Sequence, residues 1–173
     1  KIENFEFDES DKELSKLVKN HKILNNTIII PGACGVGKTT MVGLILKQLW
    51  QGERQTLINA PKSKTAENLA NTFGGGSNYV VIGQSEEGKE VDGKEELFKF
   101  LFGETATTKF EFEVENGVLK IKDDSKYPFL KLSEEKIKEL KKYEILIIDE
   151  IGQYNEIELQ LIDKDAQQAG FYV

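Results

Sequence analysis

The sequence predicts an α/β fold: a mainly parallel β-sheet with helices on both faces and an inserted β-hairpin. Three observations carry this. Short apolar runs at 27–30, 55–60, 79–82, 145–148 and 170–173 alternate with segments of helical apolar spacing, the pattern of strands buried between helices. The first run leads into a glycine-rich turn that opens a helix. Lys109–Lys122 alternates apolar and charged residues around Asn116-Gly117, the favoured two-residue hairpin turn.

Composition bounds the reading. The chain has 173 residues, 39% hydrophobic and 31% charged, enough for about one domain with its own core. No stretch approaches the roughly 20 apolar residues of a membrane span, and no signal peptide is read, so no membrane partner is expected. Cys34 is the only cysteine, which excludes an intrachain disulfide and suits a reducing, cytoplasmic compartment. His21 is the only histidine, so a histidine-based metal site is not expected. Net charge is −7, and it is graded: ten basic against eight acidic residues over 1–83, one against seven over 144–173. That balance excludes a globally basic nucleic-acid binder and leaves room only for a local groove on the first half.

Taken in order, Asp11–Asn20 carries Leu14, Leu17 and Val18 at helical spacing and predicts a short helix. Thr27–Ile30 predicts a buried parallel strand. Gly32–Thr39 then fits G-x-x-x-x-G-K-[ST], and Met41–Trp50 continues as a helix with a broad apolar face, stopped near Gly52. Strand, glycine loop and helix together define a phosphate loop. Glycines let many backbone N–H groups converge on one phosphate chain, and the helix adds its positive N-terminal end. The candidate cradle is Gly32, Cys34, Gly35, Val36, Gly37, Lys38, Thr39 and Thr40. Lys38 would reach the β- and γ-phosphates, and the Thr39 hydroxyl would bind Mg²⁺. Cys34 occupies a variable loop position and reads as structural filler.

Gln55–Ala60 predicts a second strand, ended by Pro61. Lys62, Ser63, Lys64 and Thr65 follow at its C-terminal end, where open α/β sheets bind ligands. They could hold a phosphate backbone or form a solvated loop. Ala66–Thr72 predicts a short helix with Leu69 and Ala70 inward. Gly74–Asn78 is a break, Tyr79–Ile82 a short strand, and Gln84–Gly93 a polar loop. Lys94–Phe102 predicts a helix facing the core through Leu97, Phe98, Leu101 and Phe102, ended by Gly103. In the hairpin, the turn pairs Phe112 with Ile121, Val114 with Leu119 and Glu115 with Val118. Its apolar face should rest on something, because an isolated hairpin is marginal. Ser133 caps a predicted helix over Glu134–Tyr143. Ile145–Ile148 is a buried strand ending in Asp149 and Glu150. Behind a phosphate loop, such a pair supplies a metal-shell carboxylate and a group that orients and deprotonates the attacking water. Ile157, Leu159, Leu161 and Ile162 predict a further helix, and a last strand starts near Gly170. The lysine–threonine pair and the acid pair are expected to face each other across adjacent strand ends.

In this order, GACGVGKTT, LINAPKSKTAENLA, the hairpin and ILIIDEIGQ resemble the first RecA-like domain of a superfamily 1 DNA helicase of the RecD/Dda type, over roughly residues 27–173. The resemblance implies an ATP-hydrolysing motor with ATP and Mg²⁺ as cofactors and Lys38, Asp149 and Glu150 as catalytic residues. Thr39 and Asp149 would hold the metal. Pro61, Lys62, Ser63 and Lys64 would contact single-stranded DNA, with RNA possible. It implies that 1–173 is one RecA-like domain, a fragment whose partner is a second RecA-like domain bearing an arginine finger. Residues of approximately 104–127 would be an inserted hairpin subdomain that separates strands. Departures are visible. Lys62 stands where the family's second motif has threonine, an adenine-reading glutamine is not evident, and Glu90–Phe102 replaces the threonine-histidine motif. The family's Gly-Asp-x-x-Gln turn would lie past Val173. Other P-loop ATPases, such as AAA-type loaders or packaging motors, would share Lys38, Thr39, Asp149 and Glu150. A nucleotide-gated binding module without turnover is the third class.

Overall fold

The computed structural model describes residues 22–23, 25–30, 39, 42–43, 46, 54–61, 63–73, 79–83 and 91–173. In chain order the elements are β1 (Lys22–Ile23), β2 (Ile28–Ile29), β3 (Gln55–Asn59), α1 (Ser63–Thr72), β4 (Tyr79–Ile82), α2 (Gly93–Phe102), β5 (Phe112–Glu115), β6 (Val118–Ile121), α3 (Glu134–Leu140), β7 (Tyr143–Ile148) and α4 (Glu156–Ala169). Thr39, Val42, Gly43 and Leu46 are helical, as expected after a phosphate loop. The helix predicted over Asp11–Asn20 lies outside the described residues.

β3 is central and pairs in parallel with β4 on one side and β7 on the other. The order continues past β7 through the end of the chain. Tyr172 bridges Ile145 in parallel, with Tyr172 N–H donating to Glu144 O at 2.9 Å and Leu146 N–H to Tyr172 O at 2.7 Å. Val173 in turn donates to Asn26 O and accepts from Ile28 N–H, both at 2.9 Å. The parallel sequence is therefore β4, β3, β7, 171–173, β2. β1 adds an antiparallel pairing to β2.

Alternation along β3 explains the layers. Leu57 points into the larger core with Phe98, Leu101, Leu140, Leu146, Ile162 and Phe171. Ile58 points the other way, into a smaller core with Ala66 and Ala70 of α1. So α1 covers one face, and α2, α3 and α4 the other. The helix starts are capped as their sequences allow. Asp92 accepts from Lys94 N–H at 3.1 Å and Glu95 N–H at 3.2 Å. Ser133 accepts from Lys136 N–H at 3.1 Å. Asn155 and Glu158 form a reciprocal capping box.

Several boundaries differ from expectation. Ser63, Lys64 and Thr65 belong to the first turn of α1 and are not loop. α3 stops at Leu140 because Tyr143 is drawn into register with Gln55 as the first residue of β7. The last strand begins only at Phe171, since Gly170 closes α4 in a left-handed conformation at φ 80°. Ile28, Ile29 and Ile30 are half-buried, not buried.

The hairpin has the predicted register, Phe112↔Ile121, Val114↔Leu119 and Glu115↔Val118. Asn116 (φ 53°) and Gly117 (φ 78°) take the left-handed turn conformation. Its apolar face rests on the body only at the base. There Phe110 stacks near Phe98, Phe112, Tyr127 and Phe129, with ring centroids 5.0–6.2 Å apart. Toward the tip of this face Val114 is 69% and Leu119 37% exposed. The face rests on the aromatic cluster, as expected, and the ribbon extends past it at Val114.

Candidate active site

The acid pair sits where the sheet's carboxyl edge turns. Asp149 leaves β7 with its N–H donating to Asn59 O at 3.0 Å, which ties it to the neighbouring strand end. Glu150 follows at φ 56°, ψ 57°, a left-handed conformation that only the surrounding structure can impose on a side-chain-bearing residue. The short 3₁₀ turn Ile151–Gln153 then leads into α4. Asp149 is half-buried and Glu150 exposed, suiting a ligand-facing carboxylate and a group that must reach water.

The strand that enters the glycine loop lies on the same sheet, but not next to β7. Residues 171–173 run between them. The expectation of adjacent strand ends is corrected: the closing segment of the chain fits between the two, because its backbone satisfies the donors and acceptors of both. A cavity of about 380 Å³ is lined by Ile28–Ile30, by Val42 and Leu46 of the helix after the glycine loop, and by Ile145–Gly152, including Asp149 and Glu150. Thr39 is helical and exposed. Gly32, Cys34, Gly35, Val36, Gly37, Lys38 and Thr40 lie outside the described residues, as does Lys62. Pro61 is half-buried, and Lys64 is exposed on the first turn of α1.

Sequence reasoning missed the layer that holds the acids. The Asn59 side chain donates to Gly93 O at 2.9 Å and accepts from the Tyr154 hydroxyl at 3.3 Å. Burial pushes the Tyr154 phenol well above its ordinary range. The Lys94 ammonium donates to Gln153 O at 3.1 Å and to Glu158 Oε1 at 2.8 Å, and lies 2.7 Å from Glu158 Oε2. Asp163 on α4 accepts from Thr27 Oγ1 at 2.7 Å and Asn26 N–H at 2.8 Å, fixing the start of β2. Asn155-x-x-Glu158 was visible as a capping box in sequence. Nothing local marked the contacts of Asn59 to Gly93, Lys94 to Gln153 or Asp163 to Asn26, which span 34 to 137 residues.

Among the described residues no three His, Cys, Asp or Glu side chains cluster to hold a metal. An oxygen set of one carboxylate and one hydroxyl, Asp149 and Thr39, nevertheless suits Mg²⁺, which prefers hard oxygen donors and completes its shell with water and phosphate.

A family model described as an AAA domain matches residues 15–171. The chain belongs to this AAA domain family. It is a P-loop nucleotide-binding domain of the kind that generally takes nucleotide with Mg²⁺. No curated protein and no solved structure matches the chain. In this AAA domain no described helix is long and apolar enough to cross a membrane.

Proposed function

We propose that this domain hydrolyses ATP as the motor unit of a nucleic-acid helicase, translocating on single-stranded DNA. The observation that supports this best is the shared cavity, walled on one side by β2 and the helix after the glycine loop and on the other by the end of β7 with Asp149 and Glu150. Lys38 and the loop amides would bind the phosphates, and Thr39 with Asp149 would hold the metal. Bound Mg²⁺ supplies charge neutralisation to the phosphates. Glu150, exposed on its left-handed turn, orients and deprotonates the attacking water. Pro61, Lys62, Ser63 and Lys64, which follow β3 in the sequence, would contact the strand backbone. The exposed hairpin tip would act where the duplex parts, and a second RecA-like domain would supply an arginine to the site.

ATP turnover with and without an oligodeoxynucleotide tests the reading. Hydrolysis should rise with single-stranded DNA, fall about a hundredfold or more in Lys38→Ala, and stop in Glu150→Gln while nucleotide binding persists. Turnover indifferent to any polynucleotide would move the domain to a P-loop ATPase that does not track a strand. Normal turnover in Glu150→Gln would remove that residue from its role.

A further inference from the structure

Within the turn after Glu150, Gly152 and Gln153 are exposed and Ile151 is half-buried; Tyr154, which closes it, packs against the larger core. A polar restraint is added from α2, more than fifty residues earlier in the chain. The Lys94 ammonium reaches the Gln153 carbonyl and the Glu158 carboxylate, and lies 5.5 Å from the centre of the Tyr154 ring. The Glu158 side chain is 1% exposed, so water does not compete for its charge. Its Oε1 also accepts from Asn155 N–H at 2.9 Å. One cation therefore joins the 3₁₀ turn to the start of α4.

Lys94 is itself fixed from below. Asp92 caps α2, and the Asn59 amide holds Gly93 O. Gly93 lies so close to the end of β3 that a Cβ there would stand 2.2 Å from Ala60 O. The strut thus runs from the strand end, through the α2 terminus, to the backbone that presents Glu150.

We propose that Lys94 is a positioning residue for the acid pair: through Gln153 and Glu158 it holds the left-handed turn that aims Glu150. This rests on the hydrolytic reading above for its effect on rate, but not for its effect on the turn.

The test compares wild type with Lys94→Met, Lys94→Arg and Lys94→Met/Glu158→Gln. The double variant removes the buried unpaired carboxylate, yet the glutamine can still accept from Asn155 N–H. It separates a folding defect from a loss of positioning. Steady-state ATP hydrolysis and amide hydrogen exchange over 150–154 are measured on each. Expected are a kcat lower by about tenfold to a hundredfold in both Met variants, with KM within about twofold, and recovery in Lys94→Arg. Exchange over 150–154 should speed up in both Met variants but not over β3 or β7. Wild-type kcat in the double variant, or unchanged exchange there, overturns the proposal. Should wild type hydrolyse no ATP under any condition, the hydrolytic reading fails, while exchange alone still decides whether Lys94 holds the turn.

Discussion

The acid edge and the hairpin are built on opposite plans. At the acid edge polar contacts join segments distant in sequence: Lys94 to 153 and 158, Asn59 to 93 and 154, Asp163 to 26 and 27. In the hairpin the ion pairs are local. Lys120 pairs with Glu113 at 3.2 Å and with Glu115 across the ribbon, all three substantially exposed, and such surface pairs add little stability. Long-range polar contacts, buried at Asn59–Gly93 and Thr27–Asp163 and part-buried at Lys94–Glu158, favour one geometry and penalise departures from it. Exposed, short-range ones leave the tip free to meet something else. Substitutions should therefore register as stability at the acid edge and as surface behaviour at the hairpin.

The largest effect is expected from pH, at Asp165 on α4. This carboxyl is 1% exposed, and neither oxygen has a hydrogen-bond partner among the described residues. Burial raises it from 3.8 to about 8, against the opposing pull of the Lys136 ammonium. The folded form keeps the proton between those values while the unfolded chain loses it, so stability falls as pH rises through that window. The contribution is fully present below about 4 and gone above about 8, a loss of order 5 kcal/mol. Urea denaturation across pH 4 to 9 measures it. Asp165→Asn should flatten the slope and outlast wild type at the alkaline end; a parallel slope in the variant would place the titration elsewhere.

Asp163→Ala comes next. It strips the acceptor from Thr27, Asn26 and, at 2.9 Å, Gln167, and should cost about 3 kcal/mol in chemical denaturation. Loss below about 1 kcal/mol would mean the tether between α4 and β2 is not maintained in solution. Gly93→Ala should cost about 1–3 kcal/mol, because the added methyl meets the rigid Ala60 backbone. An unchanged melting temperature would show that α2 can shift away from β3.

The smallest effect on stability is expected at the tip. Val118→Ser and Val114→Thr sit on side chains 64% and 69% exposed and should change stability by no more than about 0.5 kcal/mol. If the tip parts strands, the same changes should spoil duplex unwinding and spare DNA-stimulated hydrolysis. A stability loss as large as that of Asp163→Ala would erase the contrast between the two regions.

Legibility follows the range of the interactions. The strand runs, the Asn116-Gly117 turn and its pairing, the caps at Ser133 and Asn155, and the inward Leu97, Phe98 and Leu101 are local, and periodicity or turn chemistry within a few residues specifies them. The acid pair at 149–150 was legible because an apolar strand ending in two carboxylates is itself a local pattern. Nothing within a few residues distinguishes Lys94 from a solvated lysine or Asp165 from an exposed helix acid, because burial and partnership come from segments far away in the chain.

By itself the sequence determined the order of elements, the hairpin register, the glycine loop with Lys38 and Thr39, and which strand ends in acids. Only the tertiary structure decided that 171–173 lies between the two strands of the site, that Glu150 stands on a left-handed turn, and that Lys94 and Asn59 restrain that turn from behind. The reason is physical. Propensity, alternation and capping act over a few residues, whereas strand order and buried polar pairing depend on which distant backbones satisfy one another once the core closes.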